Sequence, residues 1–190
     1  MPHVLVLLGT RPEAIKLAPV IAALRLAQDD RALPSWRREA FRTTVCATGQ
    51  HRDLLDAALR PFGLRPDLDL DLMRPDQTPG ELTGRTLQAL DGVLADLRPD
   101  VALVQGDTAT TFAGALAAFY RRVPLGHVEA GLRTGLDATP FPEEIHRVLI
   151  ARLARWHFAP TEAAAGHLRA EGVAHDRIHV TGSTAIDALR

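Results

Sequence analysis

Three acidic side chains stand where predicted strands end or a predicted helix begins. Asp107 follows an apolar run at 101–106, and Glu129 ends another run at 125–129. Glu143 opens a helical pattern after two prolines. Buried parallel strands are continuous apolar runs whose carboxyl ends share one edge of a sheet. Carboxylates with separated pKa values serve there as acid and base, so the pattern predicts proton abstraction and donation at carbon or oxygen.

Each carboxylate also has an ordinary structural explanation. Asp107 could cap the helix that follows it, because Asp is favoured at the N-cap. Glu129 lies two residues after His127, on the same predicted sheet face, and could bond Arg133 or a backbone amide. Acidic residues suit the first turn of a helix, which accounts for Glu143. These structural roles remain open beside catalysis.

The predicted helix at 143–153 brings further polar groups to the same region. Helical spacing places Glu143, His146 and Arg147 on one face, with Glu144 pointing elsewhere. Glu129 and Glu143, with His127 and His146, could also be taken for a metal site. Their spacing matches no defined ligand motif, so we predict no metal.

A glycine turn after the first apolar run, 3–8, carries a possible anion site. Thr10 and Glu13 have the spacing of a capping box, and Pro12 suits the first helical turn. Capping leaves Arg11 unexplained. The N–H groups of a helix N-terminus favour anions, and Arg11 adds a permanent cation beside them. A phosphate-facing role for Arg11 therefore stands beside simple capping.

The elements that must position these residues alternate regularly. Apolar strand-like runs fall at 3–8, 43–47, 101–105, 125–129, 156–159 and 177–181. Helical patterns fall at 13–27, 53–59, 82–97, 108–120, 143–153 and 162–171. Such alternation predicts an α/β fold in which helices cover both faces of a parallel sheet.

Composition excludes several classes of protein. The 190 residues are 46% hydrophobic and 24% charged, as in ordinary globular domains. A net charge of −1 provides no basic field for nucleic acid or a membrane surface. Cys46 is the only cysteine, so no intrachain disulfide can form. Without a signal-type or membrane-spanning apolar run, we predict a cytoplasmic protein with no nucleic-acid or membrane partner.

Several short motifs together resemble those of the bacterial non-hydrolysing UDP-N-acetylglucosamine 2-epimerases. The resemblance runs in order from residue 3 to residue 190. The motifs are GTRPEAIK at 9–16, TGQHR at 48–52, GDT at 106–108, HVEAGLRT at 127–134, FPEE at 141–144 and TG at 181–182.

The resemblance implies a fold and a reaction. The fold is glycosyltransferase-B-like, with two Rossmann-like domains, and the chain would supply the first. Residues 1–181 would form this amino-terminal domain, and 182–190 would begin the linker to a second domain. In the implied reaction, UDP leaves to give 2-acetamidoglucal and adds back to give UDP-N-acetylmannosamine. Neither NAD nor a catalytic metal is required, and cell-envelope polysaccharide synthesis is the implied setting.

The resemblance also assigns residues. Asp107, Glu129 and Glu143 fall at the acidic catalytic positions, and Arg11 falls where the family contacts the nucleotide diphosphate. The remaining substrate or UDP contacts that we assign are Gln50, His51, Arg133 and His146. Exposed loop polarity equally explains Gln50 and His51. The implied partners are a UDP-sugar and a second copy of the chain in a homodimer.

Two other functions remain possible. A glycosyltransferase of similar fold would transfer the sugar to an acceptor, and a nucleotide-sugar-binding domain would bind without turnover. A strand, a glycine turn and a helix start recur at 180–184, and the sequence stops about two turns later. We therefore expect the chain to be the first half of a longer protein, folded but inactive alone.

Overall fold

A computed structural model describes residues 1–28, 41–49, 52–136 and 139–189 of the chain. Seven strands lie within these residues. They are β1 (His3–Leu8), β2 (Arg42–Ala47), β3 (Leu68–Asp69), β4 (Val101–Gln105), β5 (Leu125–Val128), β6 (Trp156–Ala159) and β7 (Ile178–Val180). They form one sheet in the order β3-β2-β1-β4-β5-β6-β7, and every neighbouring pair is parallel.

Seven α-helices accompany these strands in the described residues. They are α1 (Arg11–Gln28), α2 (Arg52–Leu59), α3 (Pro79–Leu97), α4 (Ala109–Tyr120), α5 (Glu143–Leu153), α6 (Glu162–Ala170) and α7 (Thr184–Asp187). Single 3₁₀ turns lie at Arg60–Phe62 and His175–Arg177.

Helices cover both faces of the sheet, because alternate residues of each buried strand belong to different cores. Val6 of β1 packs with Leu17 of α1 on one face. Leu5, its neighbour in β1, packs with Leu90 of α3 and Ala117 of α4 on the other face. The predicted Rossmann-like α/β fold is therefore confirmed.

The element boundaries differ from the sequence prediction in informative places. β3 has only two residues, too few to show a strand pattern, and was not predicted. α3 begins at Pro79 rather than residue 82, because Thr78 and Glu81 form a capping box. β5 ends at Val128, so Glu129 lies outside the strand. Of the predicted domain boundaries, the end at residue 181 stays a prediction.

The strand order places a topological switch point between β1 and β4. From β1 the chain continues to β2 and β3 on one side of the sheet, whereas β4 to β7 lie on the other side. Ligands of open α/β sheets bind outside the carboxyl ends of the strands at such a point. We call the carboxyl ends of β1, β4 and β5 the switch-point edge.

Gly131, just beyond this edge, provides a test of how closely β5 and α6 pack. Its φ is +87°, and an added Cβ would lie 2.2 Å from the carbonyl oxygen of Ala164 in α6. Gly172 has nearly the same φ, +86°, but no atom lies within 4 Å of its Cβ position. Gly172→Ala should therefore cost only the left-handed backbone energy, about 1–2 kcal/mol.

Gly131→Ala should lower the unfolding free energy by at least about twice that amount, because strain and overpacking add. Urea unfolding of both variants and the parent measures the difference. Equal losses in the two variants would show that the backbone of α6 yields to the new methyl group.

Candidate functional site

The buried carboxylate of Glu13 organises the switch-point edge. Its Oε2 accepts hydrogen bonds from the backbone N–H groups of Gly9 and Thr10, the latter at 2.8 Å. The hydroxyl of Thr108 donates to Oε1 at 2.6 Å, and that of Thr111 lies 2.9 Å from the same oxygen. Burial raises the pKa of Glu13, and these hydrogen bonds oppose the shift. Glu13 thus joins the turn after β1 to the start of α4.

The capping interpretation of this turn is consistent with the structure. Thr10 precedes α1, and its Oγ1 accepts a hydrogen bond from the Glu13 N–H at 3.4 Å. In return, the Glu13 carboxylate accepts a hydrogen bond from the Thr10 N–H. The backbone N–H groups of Gly9, Thr10 and Glu13 therefore already donate hydrogen bonds within the protein, and Pro12 has no N–H group. An anion at this helix start would depend chiefly on Arg11. Its side chain is exposed, and no described residue pairs with it.

Asp107 does not cap α4, contrary to its structural alternative. Thr108 is the N-cap, and its side chain accepts from the N–H of Thr111 at 3.2 Å. The Asp107 carboxylate instead accepts from Nε of Arg147 through Oδ2 at 2.7 Å. No described residue bonds its second carboxylate oxygen. This oxygen is therefore free to meet a ligand.

Glu129 is positioned by partners that the sequence analysis did not identify. Nζ of Lys16 lies 2.7 and 2.6 Å from the two carboxylate oxygens, and Nε2 of Gln105 also donates to Oε2. The backbone of Glu129 is left-handed, with φ of +65°, so strand alternation no longer sets its direction. The expected partner Arg133 is not bonded to Glu129.

The sequence contained a feature that could have drawn attention to Lys16. It is the only lysine among 22 basic residues, so this one position departs from a general preference for arginine. No such feature marks Gln105, because a polar residue at the end of a strand is common. Lys16 and Gln105 are separated from Glu129 by 113 and 24 residues, and only the fold joins them.

The first turn of α5 places its two glutamates differently from the sequence prediction. Glu144 is buried, pairs with Arg147 at 2.8 Å, and accepts from the N–H of Thr134 at 2.9 Å. It therefore lies on the side of Arg147, and the prediction that it points elsewhere is wrong. Glu143 is half-buried and has no hydrogen-bond or ion-pair partner among the described residues.

Spacing still places Glu143 one turn from Arg147, which contacts Asp107. Asp107 and Glu129 follow the paired strands β4 and β5. The structure thus brings the start of α5 and both strand-end carboxylates to one region of the switch-point edge.

The remaining predicted contact residues have different placements. The fork of Arg133 is engaged by Glu171, with Nε at 2.6 Å from Oε1 and NH2 at 2.8 Å from Oε2. Nδ1 of His146 donates to the carbonyl oxygen of Asp107 at 2.8 Å. Gln50 and His51 lie outside the described residues. Substrate binding by these four residues stays a prediction. The guanidinium of Arg133 is bonded to the Glu171 carboxylate rather than free.

Two buried histidines lie behind this edge on neighbouring strands. His127 of β5 and His157 of β6 are register partners. Burial lowers the pKa of each to about 4, and the charge of Arg133 adds to the effect. Nδ1 of each ring is buried without a hydrogen-bond partner. Both rings are therefore neutral near pH 7.

Two further findings concern only the described residues. In those parts of the chain, no group of three or more His, Cys, Asp or Glu side chains is arranged to hold a metal ion. In the same parts, no helix has the length and apolar character needed to cross a bilayer.

The strand order and the helices on both faces of the sheet define a Rossmann-like α/β domain. Its structural neighbours are glycosyltransferase-B-type epimerases. The structure of UDP-GlcNAc 2-epimerase from Neisseria meningitidis bound to UDP-GlcNAc superposes with a TM-score of 0.90 at 46% identity, over 98% of this chain and 47% of that one. The S. aureus MnaA–UDP structure gives 0.89 at 46% identity, over 100% and 47%.

The sequence comparisons agree. A family model for UDP-N-acetylglucosamine 2-epimerase matches residues 35–190. The UDP-N-acetylglucosamine 2-epimerase of Yersinia pestis is 54% identical over 186 residues, which are 98% of this chain and 46% of that protein. The chain belongs to the UDP-N-acetylglucosamine 2-epimerase family. It spans about half the length of the curated relatives that it matches.

The two buried histidines predict a loss of stability in acid. Below about pH 6.5 the unfolded chain binds protons that the folded rings accept only near pH 4, so the unfolding free energy falls across that interval. Each ring contributes up to about 1.4 kcal/mol per pH unit to the slope of the unfolding free energy.

Replacing one of the rings tests this expectation. His157→Gln should flatten the pH dependence of the unfolding free energy between pH 6.5 and 4, the interval set by the two pKa values. Exposed His175→Gln is the control and should leave the slope in place. Urea unfolding at a series of pH values measures both, and identical slopes in parent and His157→Gln would contradict the assignment.

Proposed function

We propose that the chain is the amino-terminal half of an enzyme that interconverts UDP-N-acetylglucosamine and UDP-N-acetylmannosamine. The supporting observation is the meeting of Asp107, Glu129 and the start of α5 at the edge where Arg11 is also exposed. Acid–base groups and a cation for a leaving diphosphate are the parts that such a reaction needs. The relatives' structures with UDP-GlcNAc and UDP support the same ligand class.

In the proposed reaction a base removes the proton at C2 while the C1–oxygen bond to UDP breaks, giving 2-acetamidoglucal. UDP then adds back at C1, and an acid protonates C2 on the other face. Arg11 stabilises the departing diphosphate, where a fixed cation is worth most. Asp107, Glu129 and Glu143 share the proton transfers. Lys16 and Gln105 fix the direction of the Glu129 carboxylate.

We also infer a homodimer in the cytoplasm. Ile145 and Leu149, one turn apart on α5, and Phe141 just before the helix are exposed apolar side chains, and they support an interface with a second copy. A glycosyltransferase and a binding domain without turnover remain the competing functions. They differ from the proposal in product: a glycosylated acceptor in the first case, none in the second.

The proposal is tested by supplying a second domain. Fused to the carboxyl-terminal half of the Yersinia pestis relative, the chain should form UDP-N-acetylmannosamine from UDP-N-acetylglucosamine, with deuterium entering at C2 in heavy water. The chain alone should unfold cooperatively, bind UDP at best in the millimolar range and form no product. Without an opposing wall, the substrate is neither oriented nor shielded from water.

Proton nuclear magnetic resonance of the sugar products distinguishes the outcomes. Turnover by the chain alone would refute the need for a second domain. Binding by the fusion without C2 exchange would favour the non-catalytic alternative.

The three carboxylates should each be needed for turnover by the fusion. Asp107→Asn, Glu129→Gln and Glu143→Gln should each lower kcat by roughly 10²–10⁴-fold, the usual contribution of a positioned acid or base. Glu162→Gln, at an exposed surface glutamate of α6, is the matched control. Near-parent rates in all three variants would remove the acid–base assignment.

Arg11 should bind the diphosphate through its planar fork. Arg11→Lys keeps the charge but loses the bidentate geometry, so UDP affinity and kcat/KM of the fusion should both fall by about tenfold or more. Arg25→Lys, whose parent side chain pairs with Asp67 on the surface, is the control. Calorimetry and initial rates measure the effect, and parent-like values for Arg11→Lys would place Arg11 outside the site.

A further inference from the structure

Two consecutive backbone carbonyls at the switch-point edge each accept a hydrogen bond from a buried histidine. Nε2 of His127 donates to the oxygen of Gly106 at 2.7 Å, and Nδ1 of His146 donates to the oxygen of Asp107 at 2.8 Å. A carbonyl oxygen only accepts, so each ring must carry a proton on the nitrogen that faces it. The neutral His127 ring therefore carries its proton on Nε2, and the His146 ring carries a proton on Nδ1.

The residues on either side of this turn are anchored separately: the Thr108 hydroxyl donates to Glu13 at 2.6 Å, and the Thr111 hydroxyl donates to the carbonyl of Gln105 at 2.9 Å. Gly106 has φ of +78°, and no atom lies within 4 Å of its Cβ position, so side-chain packing does not restrain it. Its N–H donates to the carbonyl of Val128 at 3.1 Å. The two carbonyls of the turn depend on the histidines, which come from separate elements, β5 and α5.

We propose that His127 and His146 are positioning residues, whose paired hydrogen bonds set the Gly106–Asp107 turn and aim the Asp107 carboxylate. Arg147 holds Oδ2 of that carboxylate at 2.7 Å, so the fixed backbone leaves Oδ1 directed to the ligand. The catalytic consequence rests on the proposed function, but the hydrogen bonds and their effect on the turn do not.

His146 offers a pair of variants that separate its hydrogen bond from its packing. Its ring stacks on Phe112, with centroids 5.1 Å apart and planes 9° apart. His146→Phe keeps an aromatic ring on Phe112 and removes the donor. His146→Asn removes the ring and keeps an N–H close to the position of Nδ1.

A role in packing alone predicts that His146→Phe is the better-tolerated variant. A positioning role predicts the reverse order. His127 offers the parallel pair, since His127→Gln keeps a donor near Nε2 and His127→Leu does not. The two pairs act from different elements, so poor folding of one leaves the other to decide.

The first measurement needs no turnover and uses the 190-residue chain itself. Nitrogen-15 spectra of the histidine rings should show His127 protonated on Nε2 and His146 on Nδ1 at neutral pH. The carbonyl carbon-13 shift of Asp107 should move in His146→Phe and stay near the parent value in His146→Asn. The opposite tautomer at either ring, or equal carbonyl shifts in both variants, would overturn the proposal.

The second measurement is turnover by the fusion described above. His146→Phe and His127→Leu should each lower kcat by about tenfold. For His127→Leu, KM should change by less than about twofold, because the aim of the carboxylate and not substrate binding is lost. His146→Asn and His127→Gln should recover most of that loss. If the donor-free variants retain parent kcat while the parent turns over, the positioning role is wrong.

A parent fusion without turnover would count against the proposed function alone. The spectra of the chain would then decide the positioning role, because ring tautomers and carbonyl shifts report the hydrogen bonds directly.

Discussion

The Glu13 carboxylate is the interaction on which the switch-point edge depends. Its four polar contacts come from the turn after β1 and from the start of α4, the two segments that border the switch point. A carboxylate buried without such partners would be costly, and a turn without the carboxylate would leave two amides unbonded. The same bonds that stabilise Glu13 therefore fix the separation of β1 and β4 at the ligand edge.

Because Glu13 accepts hydrogen bonds from this turn, fewer backbone N–H groups at the start of α1 are available to bind an anion. Free N–H groups at a helix start favour an anion, but those of Gly9 and Thr10 point at Glu13. The positive charge at this end of the edge is then concentrated in Arg11. In the proposed reaction, a diphosphate held there would depend chiefly on the Arg11 guanidinium.

The sequence allowed a correct prediction of the structure wherever a local pattern determines it. Alternating apolar runs predicted six of the strands and the helices on both faces, and the spacing of Thr10 and Glu13 predicted a cap. It failed where a contact joins distant segments. The bond of Glu129 to Lys16 joins segments 113 residues apart, and no local pattern indicates the left-handed backbone of Glu129. The burial of Glu144 depends on the loop at 131–136 folding over it.

Helix α1 places side chains at the carboxyl ends of three strands, β1, β4 and β5. Arg11 stands exposed at its first turn, Glu13 turns inward to α4, and Lys16 reaches Glu129 beyond β5. A lysine suits the last position because its compact ammonium group, on a long flexible stem, can lie within 2.7 Å of both carboxylate oxygens. A displacement of α1 would therefore alter the anion site, the switch-point network and the Glu129 carboxylate together. In the proposed reaction, the helix would couple leaving-group binding by Arg11 to the placement of the Glu129 carboxylate.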